Sequence, residues 1–131
     1  MGATRARAFD NGEKGMASEE LLVIKRAYDF AKWLFGHTGK FPKSHRFSLA
    51  VRLETAILDF IEHATVANVR RDKLPLLKQA DEALSRLRIL FRFSYDMRFV
   101  NTNSYECGSS QLNELGKLLG GWIKNPGALK N

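Results

Sequence analysis

The chain has a single cysteine in 131 residues, Cys107, so no disulfide can form within it. No CxxC pair and no closely spaced set of histidines and cysteines accompanies it, and zinc and redox roles lose their support. Proline is scarce as well. Pro42, Pro75 and Pro126 are the three, and the long stretches between them are free to be helical. No run approaches the roughly 18 to 20 uninterrupted apolar residues of a membrane-spanning helix, and the first residues lack the apolar centre of a secretory signal. The expectation is a cytoplasmic protein with no membrane partner. Negative charge is the minority: 14 Asp and Glu stand against 21 Lys and Arg, a formal net charge of +7. Such an excess suits an anionic partner, nucleic acid ahead of a membrane surface or an acidic protein.

What is present is enough for one domain with a core, at 44% hydrophobic and 11% aromatic residues. Residues 1–17 combine glycine and scattered charge without an apolar period, and read as a disordered leader. Four segments with apolar residues at helical spacing follow. The first spans about 18–35, with Ser18 as its cap and Gly36 and Gly39 beyond its end; Val23, Ile24, Ala27, Phe30, Ala31 and Leu34 form its inner face. The second spans about 44–69, started by Pro42 and capped by Ser44, with Leu49, Leu53, Ala56, Ile57, Phe60 and Ala64 inward. The third, about 75–100, opens on Pro75 and carries Leu76, Ala80, Ala83, Leu84, Leu87, Leu90 and Phe91. The fourth, about 104–124, is built on Leu112, Leu115, Leu119, Trp122 and Ile123, leaving 125–131 as a flexible tail. With no convincing strand, the expected fold is all-α, an antiparallel up-and-down four-helix bundle over 18–124.

Two segments hold more apolar surface than one bundle core uses. At 100° per residue, Phe47, Val51, Leu58 and Val69 share a second side of the second helix. Ile89, Phe93 and Val100 do the same on the third, beside Glu82 and Arg86, which can pair at one-turn spacing. Broader burial within the monomer is one account of them; self-association through two unlike stripes, head to tail in a ring, is the other.

Catalytic patterns are missing. His37, His45 and His63 are far apart and expected to be solvated, no serine sits in a G-x-S-x-G setting, and Cys107 reads as a small buried residue. The glycines of "GKLLGGW", residues 116–122, follow no strand and lack a P-loop's Lys-Ser/Thr, so they read as close packing against a bulky side chain such as Trp33 or Trp122. No enzyme activity, cofactor or metal is expected. The basic residues carry more information. Lys43, His45, Arg46 and Arg52 open the second helix, Arg70, Arg71 and Lys73 surround its end, and Lys78, Arg88, Arg92 and Arg98 mark the third. Arg88 and Arg92, one turn apart on the side of Lys78, can form a basic ridge, and the whole set is either an ordinary solvated face or contacts to a polyanion. Without a base-reading motif, binding to RNA or DNA would be backbone-driven, salt-dependent and weakly sequence-specific.

Two runs, "FPKSHRFSLAVRLE" at 41–54 and "LNELGKLLGGWIK" at 112–124, speak together. In this order, on the second and fourth of four helices, they resemble the accessory variability determinant (Avd) proteins of diversity-generating retroelements, over about residues 21–124. The bundle proteins encoded in intervening sequences of large-subunit ribosomal RNA genes, scaffolds without a polymerase partner, share the architecture and are the nearest rival. The Avd resemblance implies a basic bundle that assembles as a barrel-like homopentamer and binds the retroelement's reverse transcriptase and nucleic acid. It implies a non-catalytic subunit of the complex that copies template RNA into adenine-mutagenised cDNA for mutagenic retrohoming. Under it the basic residues named above become candidate contacts to polymerase or nucleic acid, and Phe47, Val51, Leu58, Ile89 and Phe93 become candidates for the protomer interface.

Overall fold

A computed structural model describes residues 19–127. The proposed cap Ser18, the leader and the last four residues lie outside it. Four helices make up the described chain, and no strand occurs among the described residues: α1 (Glu19–Thr38), α2 (Val51–Val69), α3 (Leu74–Asp96) and α4 (Thr102–Lys124). Each packs against the next and α4 closes on α1, while turns of four or five residues reverse the chain between α2 and α3 and between α3 and α4. That is the four-helix bundle which the spacing predicts.

The inner faces follow the 3.6-residue period closely. Val23, Ala27, Phe30 and Leu34 of α1 meet Leu53, Ile57, Phe60 and Ala64 of α2, Leu77, Ala80, Leu84, Leu87 and Phe91 of α3, and Leu112, Leu115, Leu119 and Trp122 of α4. Leu77 takes the place expected of Leu76, which with Leu90 is only partly buried. The Trp122 indole N–H is buried without a partner, at a cost of about 1–3 kcal/mol that its large apolar body offsets.

Helix limits depart from the sequence reading for identifiable reasons. α1 runs through Gly36 to Thr38, whose hydroxyl donates to the Glu54 carboxylate. The second helix does not begin with a serine cap. It enters through a 3-10 turn (Lys43–His45) and a π turn (Arg46–Ala50), and no side chain caps either one. Ser44 is exposed and Pro42 occupies the cap position, so the backbone tightens where a side-chain bond is lacking. α3 stops at Asp96, four residues early, and the chain folds back so that Val100 enters the core at 3% exposure rather than joining an outer stripe. α4 starts two residues early because Asn101 caps it, its Oδ1 accepting from the Ser104 N–H at 2.8 Å.

Small residues also fall differently. Cys107 is exposed and its neighbour Gly108 is buried. A Cβ on Gly108 would stand 2.5 Å from the Phe91 ring and 2.9 Å from Trp33. Close packing thus calls for glycine at position 108; at Gly116 the near neighbour is the end of the flexible Arg88 side chain, which can move aside, and Gly120 and Gly121 face no neighbour.

Candidate nucleic-acid and assembly surfaces

Up-and-down topology puts the 39–42 turn and the 97–101 turn at one end of the bundle, and the 70–73 turn at the other. At the first end, three rings knit the two turns together. Phe41 and Phe99 lie 5.4 Å apart between centroids, and the His45 ring packs on Phe99 at 5.0 Å. His37 stacks on Trp33 and reaches Trp33 O and Ser104 Oγ, so neither it nor His45 is the solvated histidine expected. This packing brings Lys43, His45 and Arg46, from the start of the second helix, to the same end as Arg98, more than fifty residues later. Lys40, exposed in the same turn, adds a charge which the sequence reading left out although it adjoins the motif. Arg46 donates a long bond of 3.4 Å to Gly39 O; among the described residues, Lys40, Lys43 and Arg98 have no side-chain partner.

Lys73, at the opposite end, is a correction. It is 2% exposed, and its ammonium donates to the carbonyls of Ala67 (2.7 Å), Asn68 (3.0 Å) and Arg70 (2.8 Å). These carbonyls cluster at the C-terminus of α2, where a helix runs short of N–H donors and its dipole favours a cation; Ala67 O also accepts the Arg70 N–H at 3.2 Å. Lys73 therefore caps a helix and is no contact for a polyanion. Arg70 and Arg71 beside it are exposed.

Along the flanks the picture is mixed. Arg52 and Lys78 are exposed and take no ion pair among the described residues. Arg88 reaches across to α4, donating to Leu112 O at 3.1 Å and Asn113 Oδ1 at 3.0 Å, so the expected ridge with Arg92 is half a clamp. The open groove around it, about 600 Å³, is lined by Asp81, Leu84, Ser85, Arg88, Asn113, Gly116 and Lys117. Arg92 bonds Asp96 at 3.1 Å; that bond first, and one to Tyr105 second, raise its pKa above the ordinary value. Arg86 reaches Asp59 on α2 at 3.6 Å, rather than Glu82 on its own helix.

The apolar residues singled out on the second and third helices do face outward. Phe47 is 85% exposed, Ile89 65% and Phe93 51%, with Val51 and Leu58 about two-fifths exposed, and Val69 is exposed beside them. Burial within the monomer does not account for them. The π turn carries Phe47, and a π turn inside a helix often accompanies a functional position.

No cluster of metal-ligating side chains occurs among the described residues, and no helix there is long and apolar enough to cross a membrane. A comparison with curated protein sequences gives no match. Residues 21–126 match the family model described as bAvd-like, spanning all four helices and both motif runs. The chain therefore belongs to the bAvd-like family.

Proposed function

We propose that the chain is a non-catalytic accessory subunit of a diversity-generating retroelement, which binds the reverse transcriptase and nucleic acid to support mutagenic copying of a template RNA. The family match over residues 21–126 carries this reading. The net charge of +7 and the unpaired cations Lys43, Arg52, Lys78 and Arg98 support it, with Arg46, Arg70, Arg71 and the part-engaged His45, Arg88 and Arg92 as further contacts. Affinity capture tests it: the folded chain retains the reverse transcriptase of its own retroelement at moderate salt, and failure to retain it overturns the reading.

The chain works as a homo-oligomer, a pentameric ring on the family resemblance, closed through Phe47, Val51 and Leu58 of one copy and Ile89 and Phe93 of the next. Five exposed apolar side chains on two helices support this pairing, since a head-to-tail contact needs two unlike faces. Light scattering at micromolar concentration then gives several times the monomer mass. Phe93→Glu reduces the mass to that of a monomer with helicity retained, because an unpaired carboxylate cannot be buried at the contact.

A further inference from the structure

Arg98 has φ of 68°, the one residue other than glycine with a positive φ among those described. It occupies the position just past the end of α3 in a complete Schellman motif. The Phe99 N–H donates to Ser94 O and the Arg98 N–H to Tyr95 O, both at 2.9 Å. Glycine is the ordinary residue at that position because a Cβ is strained there. An arginine at so strained a position points to a use for its side chain, and nothing inside the fold supplies one: Arg98 is exposed and has no partner among the described residues.

Its surroundings say what the use is. Lys40, Lys43, His45 and Arg46 stand at the same end, held there by Phe41 and Phe99. The carboxylates nearby are largely engaged, Glu54 by Thr38 and Asp96 by Arg92, with Glu106 one turn along α4. A groove of about 530 Å³ lined by Tyr95, Asp96, Arg98, Val100, Asn101 and Thr102 runs beside Arg98.

We infer that this two-turn end of the bundle is where the phosphodiester backbone of nucleic acid binds, with Arg98 as its principal contact. The inference rests on the nucleic-acid part of the proposed function and narrows it from a whole basic surface to one end. In a ring closed by rotation, equivalent ends of all copies form one rim, and the charge repeats along a bound strand.

Arg98→Gly tests it without a risk to folding, because glycine suits the backbone there. Fluorescence polarisation with labelled single-stranded RNA and, separately, DNA, across a salt series, is the readout. Arg98→Gly weakens binding about tenfold and lowers the slope of log K against log salt by about 1 per engaged copy. Its melting temperature does not fall and rises by up to about 3 °C. Arg98→Lys keeps most of the affinity, and Lys124→Gln, an equal charge loss at the far end of α4, leaves it unchanged. Loss with RNA alone or with both strands identifies which nucleic acid the end takes. Wild-type chain that binds neither overturns the proposed nucleic-acid role and this inference together. Wild-type binding with Arg98→Gly equal to it, or Lys124→Gln as weak as Arg98→Gly, overturns the inference alone, as does a melting temperature lowered by Arg98→Gly.

Discussion

Lys73 at one end of the bundle and Arg98 at the other use their charges in opposite ways. At one, Lys73 is buried and its ammonium is consumed by three carbonyls of α2. At the other, Lys40, Lys43 and Arg98 stand in solvent while aromatic rings hold their turns in place. A basic residue is thus either a piece of the fold or a piece of the surface, and its neighbours decide which. Lys73 completes the backbone bonding at the end of α2; Arg98 sits where the backbone would be better served by having no side chain at all.

Stability measurements can sharpen or break that contrast. The largest effect is expected at Lys73→Met, which keeps the apolar stem but takes the ammonium from three carbonyls, leaving Asn68 O and Arg70 O without it while Ala67 O keeps the Arg70 N–H. Chemical denaturation should show a loss of about 3 kcal/mol, and a loss below about 1 would mean that water replaces the ammonium freely. Phe99→Ala comes next, at about 2 kcal/mol, by removing the half-buried ring between Phe41 and His45. It should also weaken nucleic-acid binding, since the cations of the two turns are no longer held together. Arg71→Ala is the smallest: two residues from Lys73 but exposed, it should move stability by no more than about 0.5 kcal/mol. If Arg71→Ala cost as much as Lys73→Met, the distinction between the two kinds of cation would fail.

Much of the fold was legible because helix burial is periodic. Phe30, Leu34, Ile57, Phe60, Leu84, Leu87, Leu115 and Trp122 were all placed inward by spacing alone, and all are buried. The outward set was legible by the same arithmetic: Phe47, Val51, Leu58, Ile89 and Phe93 are exposed. What escaped lies where the chain leaves the helical period. Val100 was counted along a helix that ends at Asp96, so its angle had no meaning. Ser44 looked like a cap, but capping depends on backbone geometry that a 3-10 turn followed by a π turn does not provide. Lys73 carried no sign of burial, because a lysine that caps a neighbouring helix has the same letter as one in water. Cys107, expected to be the small buried residue, is exposed, and the next position, Gly108, is buried, a difference of 100° around α4 and enough to exchange surface for core.

The candidate site was legible as a list and not as a place. Lys43, His45 and Arg46 were already one cluster in sequence, and Arg98 joined them only through the contact of Phe99 with Phe41 and His45. Arg88 and Arg92 were read as a ridge from their one-turn spacing, which does not reveal that Asn113 and Asp96 engage them.

Primer extension on the retroelement's own template RNA tests the accessory role most directly, with its reverse transcriptase assayed alone and with this chain added. The account predicts that cDNA synthesis from that template rises when the wild-type chain is present and that the chain alone yields none. Equal synthesis with and without a folded, oligomeric chain would contradict it.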